Sequence, residues 1–305
     1  MIHVRKFLFR FALFVLLNVL FWWVWFTVSR SIHATQIVPS NSTTQSHLFV
    51  IPEHKKYDLV ILGSSHAERL FGGTQSQSIA QSMLGMSFFS LAKNGAGILP
   101  EKVYLYYFFE RRNQAERIVY FIDPFVFHSP KWNEQYSFNY EPYRNSVLVA
   151  LIGNHFDRSV LYGYIKSNFD PRRILSPQKS DDCIDSYSSL SQDAMNQTIS
   201  NYYDQGLDQS LFNTYASELA DEIEISQSHN ARVLFILPPN LWVTDPGKKM
   251  LLDLLQRYKE QYGIEFYDLS NSVPSPKLYS STASHLNCQG VQYFTEHFLK
   301  SILTQ

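Results

Sequence analysis

Tyr57-Asp58-Leu59-Val60-Ile61-Leu62-Gly63-Ser64-Ser65-His66-Ala67-Glu68-Arg69-Leu70-Phe71 is the stretch from which the fold follows. Residues 59–62 form a continuous apolar run rich in β-branched side chains, the pattern of a strand buried on both faces of a parallel sheet. Gly63 breaks the run, and Ser64 and Ser65 are residues that cap a helix, here one starting at about His66. A strand, a tight turn and a helix start place a serine hydroxyl at the carboxyl edge of the sheet, where α/β proteins hold their ligands. Free N–H groups at such a turn stabilise an oxyanion. An ordinary βα turn with a serine cap accounts for the same residues, and this stretch alone does not separate the two readings.

Working outward, the helix continues over residues 66–83, with Gly72 and Gly73 as a point of interruption. Residues 86–91 form a second short strand, followed by the glycine-bearing loop 92–97. Pro100 fits the first turn of a helix that carries Val103, Tyr104, Tyr107 and Phe108 at helical spacing. Residues 117–122 are a third strand, closed by Asp123-Pro124. From 125 to 209 the pattern is irregular, with helical pieces near 146–152 and 159–167, and reads as an insertion over one edge of the sheet. Alternation resumes with a helix at 211–228, a strand at 232–237 ending in Pro238-Pro239, a helix at 246–262, a strand at 265–269 and a last helix at 289–303. Strands alternating with helices predict a doubly wound parallel sheet.

Residues 11–28 carry no charge, close to the length that spans a bilayer. Phe21, Trp22, Trp23, Trp25 and Phe26 crowd the end of this segment as an interfacial aromatic belt does. Arg5, Lys6 and Arg10 precede it and only Arg30 follows closely, so the positive-inside rule keeps the N-terminus cytoplasmic and sends the rest across the inner membrane, to the periplasm in a Gram-negative cell. A cleavable signal peptide ending near Ala34 is the competing reading. The bulky apolar stretch without a clear A-x-A site favours an uncleaved anchor. The plan is thus an anchor over 1–30, a Ser/Thr/Gln/Asn-rich tether over 31–56 and an α/β domain over 57–305. Lys plus Arg number 26 and Asp plus Glu 27, a balance without the basic excess of a nucleic-acid binder. His54, His128, His155 and His229 lack metal-ligand spacing, so neither a metal nor a cofactor is expected. Cys183 and Cys288 form one disulfide in an oxidising compartment or remain two buried thiols; their spacing does not decide.

Ser280-Ser281-Thr282-Ala283-Ser284-His285-Leu286-Asn287-Cys288-Gln289-Gly290 precedes the last helix and follows the last strand, so it opens at the same sheet edge as Ser65. A serine and a histidine placed there are a nucleophile and its general base. With the first stretch, this one resembles the SGNH hydrolase superfamily, the GDSL-type esterases. Gly63-Ser64-Ser65-His66 stands at the nucleophile block, and His285-Leu286-Asn287 with Gly290 resembles the last block. The likeness is greatest to the membrane-anchored branch that modifies bacterial envelope polysaccharides, which includes alginate O-acetylation and DltD-type proteins. It covers residues 57–305 and leaves the insertion unmatched.

The resemblance implies a flavodoxin-like three-layer α/β/α domain in which Ser65 attacks an acyl ester and His285 is the base. It also implies an oxyanion hole of the Ser65 and Gly95 N–H groups, with Asn94 as a further donor, and a membrane-bound O-acyltransferase as partner. The substrate expected is an acylated envelope polysaccharide. Two departures bear on this. The family's acid, three residues before the histidine, is here Thr282, and no carboxylate lies between Asn271 and His285. The orienter is therefore a neutral acceptor such as Thr282, a backbone carbonyl, or a distant acid, Asp268 or Asp123. Neutralising the acid of a Ser-His-Asp triad costs about 10⁴ in kcat, largely through the wrong tautomer. The family's Gly-x-Asn-Asp block is also missing. A catalytically degenerate binding or scaffold subunit of an envelope polysaccharide-modifying complex is the alternative.

Overall fold

The computed structural model describes residues 2–35, 48, 51–169, 183, 192–242, 244–280 and 284–304. Most of the tether and Thr282 lie outside the described residues. The first helix, α1 (Ile2–Thr35), contains the apolar segment Val4–Val28, long enough to cross a membrane. Five parallel strands follow: β1 (Lys56–Gly63), β2 (Phe88–Ser90), β3 (Gln114–Phe121), β4 (Arg232–Leu237) and β5 (Glu265–Asp268). Their order is β2-β1-β3-β4-β5, with every neighbouring pair parallel. The doubly wound parallel sheet is the expected one, and its order places the topological switch between β1 and β3.

The pleat explains why β1 reads as an unbroken apolar run. Val60 and Leu62 join Ile118, Tyr120, Phe235 and Leu237 in the core on one face. Leu59 and Ile61 join Val119, Phe121, Leu234 and Ile236 on the other. Helices α4 (Ile98–Glu110), α8 (Gln209–Ser228) and α9 (Lys248–Tyr262) cover the first face. The second is covered by α2 (Ser65–Phe71), α3 (Thr74–Leu84), α10 (Cys288–Phe294) and α11 (Lys300–Leu303). Each fully buried Leu, Ile or Phe in these layers contributes about 1.5–3 kcal/mol.

Several boundaries differ from the sequence expectation. The helix predicted over 66–83 is two helices, because Gly72 and Gly73 form its break and Gly73 caps α3. The second strand is three residues long, since only Leu59–Ile61 offer it a partner. A π-helical turn, Thr295–Leu299, separates α10 from α11. Between β3 and α8 lie α5 (Asn145–Gly153), α6 (Arg158–Ser167) and α7 (Gln192–Tyr202), the last without a counterpart in the sequence reading. Phe138, Val147, Leu151 and Tyr164 of this segment enter the same core as α4.

Gly63 sits at φ +142°, a conformation L side chains rarely adopt. A Cβ there would lie 2.7 Å from both the Ala67 Cβ and the Phe121 carbonyl oxygen. No side chain fits where the chain leaves β1 so close to β3. Gly63→Ala is therefore expected to destabilise the domain by about 1–3 kcal/mol, a fall of roughly 2–12 °C in Tm, read by thermal denaturation against wild type.

Candidate active site

Ser65 is the first residue of α2, directly beyond the β1 turn, and His285 lies in the loop before α10. That loop is braced by a bridge between Tyr279 and Leu286 and by Asn287, whose side chain caps α10 at the Gly290 N–H. Across 220 residues the two side chains meet: His285 Nε2 is 2.8 Å from Ser65 Oγ. The other ring nitrogen, Nδ1, is 3.1 Å from the hydroxyl of Ser284. For Nε2 to accept from Ser65, Nδ1 must carry the proton and donate it to Ser284. Tyr202, at the end of α7, lies beside Ser284. Tyr202 is held by Phe125, stacked at 4.2 Å, and by Trp242 at 5.5 Å. Burial raises its pKa, and the neighbouring Ser284 hydroxyl opposes that rise.

Neither distant acid proposed as an orienter performs that contact. Asp268 is engaged by Lys248 at 2.8 Å and by the Ser270 hydroxyl at 2.6 Å. Asp123, at the end of β3, accepts from Ser64 Oγ at 2.5 Å and holds His66 Nδ1 at 2.7 Å. Ser64, His66 and Asp123 are at most 4% exposed. Ser64 is thus the N-cap of α2 by position, yet its side chain makes no capping bond and ties β1 to β3 instead. The His66 ring lies 4.8 Å from that of His285, and its Nε2 is buried without a hydrogen-bond partner among the described residues. Desolvation, then His66, then Arg69 hold the His285 imidazole well below the usual histidine range. Arg69 follows Ser65 by four residues, the spacing that brings side chains together on one helix face.

Gly95 adopts φ +75° in the loop after β2, beside the Trp132 ring. Asn94 is exposed, and its backbone N–H donates to the Glu68 carboxylate at 2.8 Å, which fastens this loop to α2. A small polar cleft of about 70 Å³ opens beside Asp123 at the ends of β3, β4 and β5, lined by Asn240, Trp242, Asp245, Lys248 and Ser270. Cys183 and Cys288 are joined in a disulfide, which fixes the segment between β3 and α8 to the start of α10, three residues beyond His285. Sequence reasoning missed Ser284, Tyr202 and Arg69. Ser284 adjoins the histidine and Arg69 follows Ser65 at helical spacing, so both carry a sequence signal; Tyr202 carries none.

No family model and no curated protein matches the chain. Among solved structures it is similar to a candidate acylhydrolase from Bacteroides fragilis, at 11% identity and TM-score 0.42, over 84% of this chain and 91% of that one. It is also similar to an acetyl xylan esterase from the rumen bacterium Butyrivibrio proteoclasticus, at 11% identity and TM-score 0.43, over 82% of this chain and 64% of that one.

The Cys183–Cys288 bond closes a loop across 105 positions. Replacing both cysteines by serine is expected to cost about 3–5 kcal/mol. It should lower Tm in a non-reducing thermal melt, while dithiothreitol lowers Tm of the wild type and leaves that of the double variant unchanged.

Proposed function

We propose that the chain is a membrane-anchored, extracytoplasmic serine esterase or O-acyltransferase acting on acyl esters of cell-envelope polysaccharide. The observation that carries the reading is the 2.8 Å contact between Ser65 Oγ and His285 Nε2 at the carboxyl edge of the sheet. In this mechanism the Ser65 hydroxyl passes its proton to His285 as Oγ attacks the acyl carbon. The N–H groups of Ser65 and Gly95 are the proposed donors to the tetrahedral oxyanion. Collapse expels the alcohol, which takes the proton from His285 and leaves an acyl-Ser65 ester. Water or a sugar hydroxyl then gives its proton to His285, attacks the ester, and Ser65 recovers its proton. A membrane-bound O-acyltransferase fits as the partner that supplies acyl groups. The apolar span of α1, with Arg5, Lys6 and Arg10 in its first turns, supports an inner-membrane anchor with the domain outside.

The Ser284 hydroxyl stands where the triad acid would act. It orients the imidazole and favours the Nδ1–H tautomer without adding negative charge. The engagement of Asp123 and Asp268 elsewhere favours the second reading, a scaffold subunit that binds acylated glycan without turning it over.

The two readings part in the purified full-length protein in detergent. A fluorophosphonate probe, which transfers its phosphonyl group to an activated serine with loss of fluoride, is expected to label wild type but not Ser65→Ala or His285→Ala. Absence of wild-type labelling together with no turnover of an acetyl ester overturns the enzyme reading. Ser284→Ala is expected to lower kcat/KM about 10- to 100-fold, the equivalent of about 1.4–2.7 kcal/mol.

The pH profile has a definite sign. His285 works as a base only when neutral, and its pKa lies below the ordinary 6.5. The acid limb of kcat/KM is therefore expected below pH 6.5, with activity lost as pH falls through the lowered pKa. Arg69→Met removes one of the causes and is expected to move that limb upward.

A further inference from the structure

Helix α5 breaks the rule that a surface helix carries a polar outer face. Its sequence, Asn145-Ser146-Val147-Leu148-Val149-Ala150-Leu151-Ile152-Gly153, has no charge. Val147 and Leu151 point into the core, yet Val149 and Ile152 on the outside are apolar too, at 67% and 66% exposure. A helix apolar all round belongs in a core or against lipid. The neighbouring α6 presents Tyr162, 66% exposed, with the Lys166 ammonium 5.8 Å from its ring. Tyr140, just ahead of α5, is 40% exposed. This face is part of the rigid domain: the Tyr164 hydroxyl donates to the Pro142 carbonyl and accepts from the Arg144 N–H, and Arg144 Nε donates to Tyr107.

What covers this face is indicated by α1. Tyr143, before α5, and Phe169, after α6, both touch the end of the apolar span. Phe26 packs on Tyr143 at 4.9 Å and on Phe169 at 5.0 Å, Trp22 lies 5.8 Å from Phe169, and the Trp25 indole donates to the Phe169 carbonyl. The span Val4–Val28 has 25 residues, about 37 Å of helix, against a hydrocarbon core of about 30 Å. The excess is about 7 Å, a little over one turn, so the end of the span that carries Trp25 and Phe26 lies at the boundary with the headgroups, where Trp and Tyr collect. The α5–α6 pair leaves and rejoins that level, and α5 is only about 14 Å long.

We infer that the α5–α6 face is a second membrane contact, with Val149, Ile152 and Tyr162 seated in the headgroup–acyl boundary of the leaflet on the domain's side. The inference rests on the reading of α1 as the membrane span. Two apolar side chains and an aromatic ring in the boundary add to the single span and remove the domain's freedom to swing on its tether. The sheet edge that carries Ser65 is then held at one height and tilt above the bilayer, which selects substrates presented at the membrane surface.

The test uses the full-length protein reconstituted in phosphatidylcholine–phosphatidylglycerol nanodiscs. Single cysteines are introduced as Val149→Cys, Ile152→Cys, Leu16→Cys within the span, and Lys249→Cys on α9 as a water-exposed control. The Cys183–Cys288 disulfide stays intact, so a nitroxide reagent reaches only the new thiol. Collision of each label with oxygen, which partitions into lipid, is compared with that of a water-soluble nickel chelate. At 149 and 152 the oxygen-to-nickel ratio is expected to exceed that at 249 by threefold or more and to lie below that at 16. A ratio at 149 and 152 equal to that at 249 overturns the inference and leaves the span standing. Labels shielded from both colliders overturn it as well, since the face is then covered by protein, a second copy or another subunit. A water-like ratio at 16 sinks the span itself, and the inference with it.

Discussion

The Asp123 carboxylate is the interaction on which the site depends. Gly63 and Phe121 are register partners at the ends of β1 and β3, the two strands that flank the topological switch. Backbones this close leave room for one small bridging group, and Asp123 provides it by accepting from Ser64 and holding His66. A buried carboxylate without partners costs several kcal/mol, so these two contacts are what permit its position. They also set the start of α2. Because Ser64 is committed to Asp123, Ser65 is left as the hydroxyl that faces the loop carrying His285. The apparent redundancy of two serines in the turn resolves into one structural and one exposed to the opposite loop.

The same carboxylate positions a neighbour of His285. His66, held by Asp123, lies against the His285 ring, and both it and Arg69 disfavour a charge there. Desolvation is the largest cause and acts in the same direction. The free site therefore keeps His285 neutral, ready to take a proton.

The parts of this arrangement legible in the sequence are those set by local pattern. The apolar run of β1, the Gly63 turn and the position of His285 after the last strand all follow from short-range chemistry, and from them the sheet edge and the meeting of two loops. What could not be read depends on long-range packing. Tyr202 comes from the irregular segment, and nothing in its sequence neighbourhood marks it as lying beside Ser284. Asp123 and Asp268 were equal candidates until the structure engaged one with His66 and Ser64 and the other with Lys248 and Ser270. The cysteine pairing was open for the same reason, since 105 positions of separation carry no information about contact. The break at Gly72–Gly73 is visible in the sequence as a possibility, and the structure makes it a boundary between two helices, α2 and α3.

The disulfide and the His285 loop belong to one argument. The imidazole Nδ1 hydrogen-bonds Ser284, the residue next to it, so the ring takes its orientation from its own loop. Such a loop holds its geometry only if it is itself braced. The Tyr279–Leu286 bridge and the Asn287 cap brace it from within. The Cys183–Cys288 bond ties the start of α10, three residues beyond His285, to the segment between β3 and α8. Tyr202 of that segment stacks on Phe125 and packs on Trp242. The 125–209 segment is then more than a cover on one edge of the sheet: it is cross-linked to the element that carries the base.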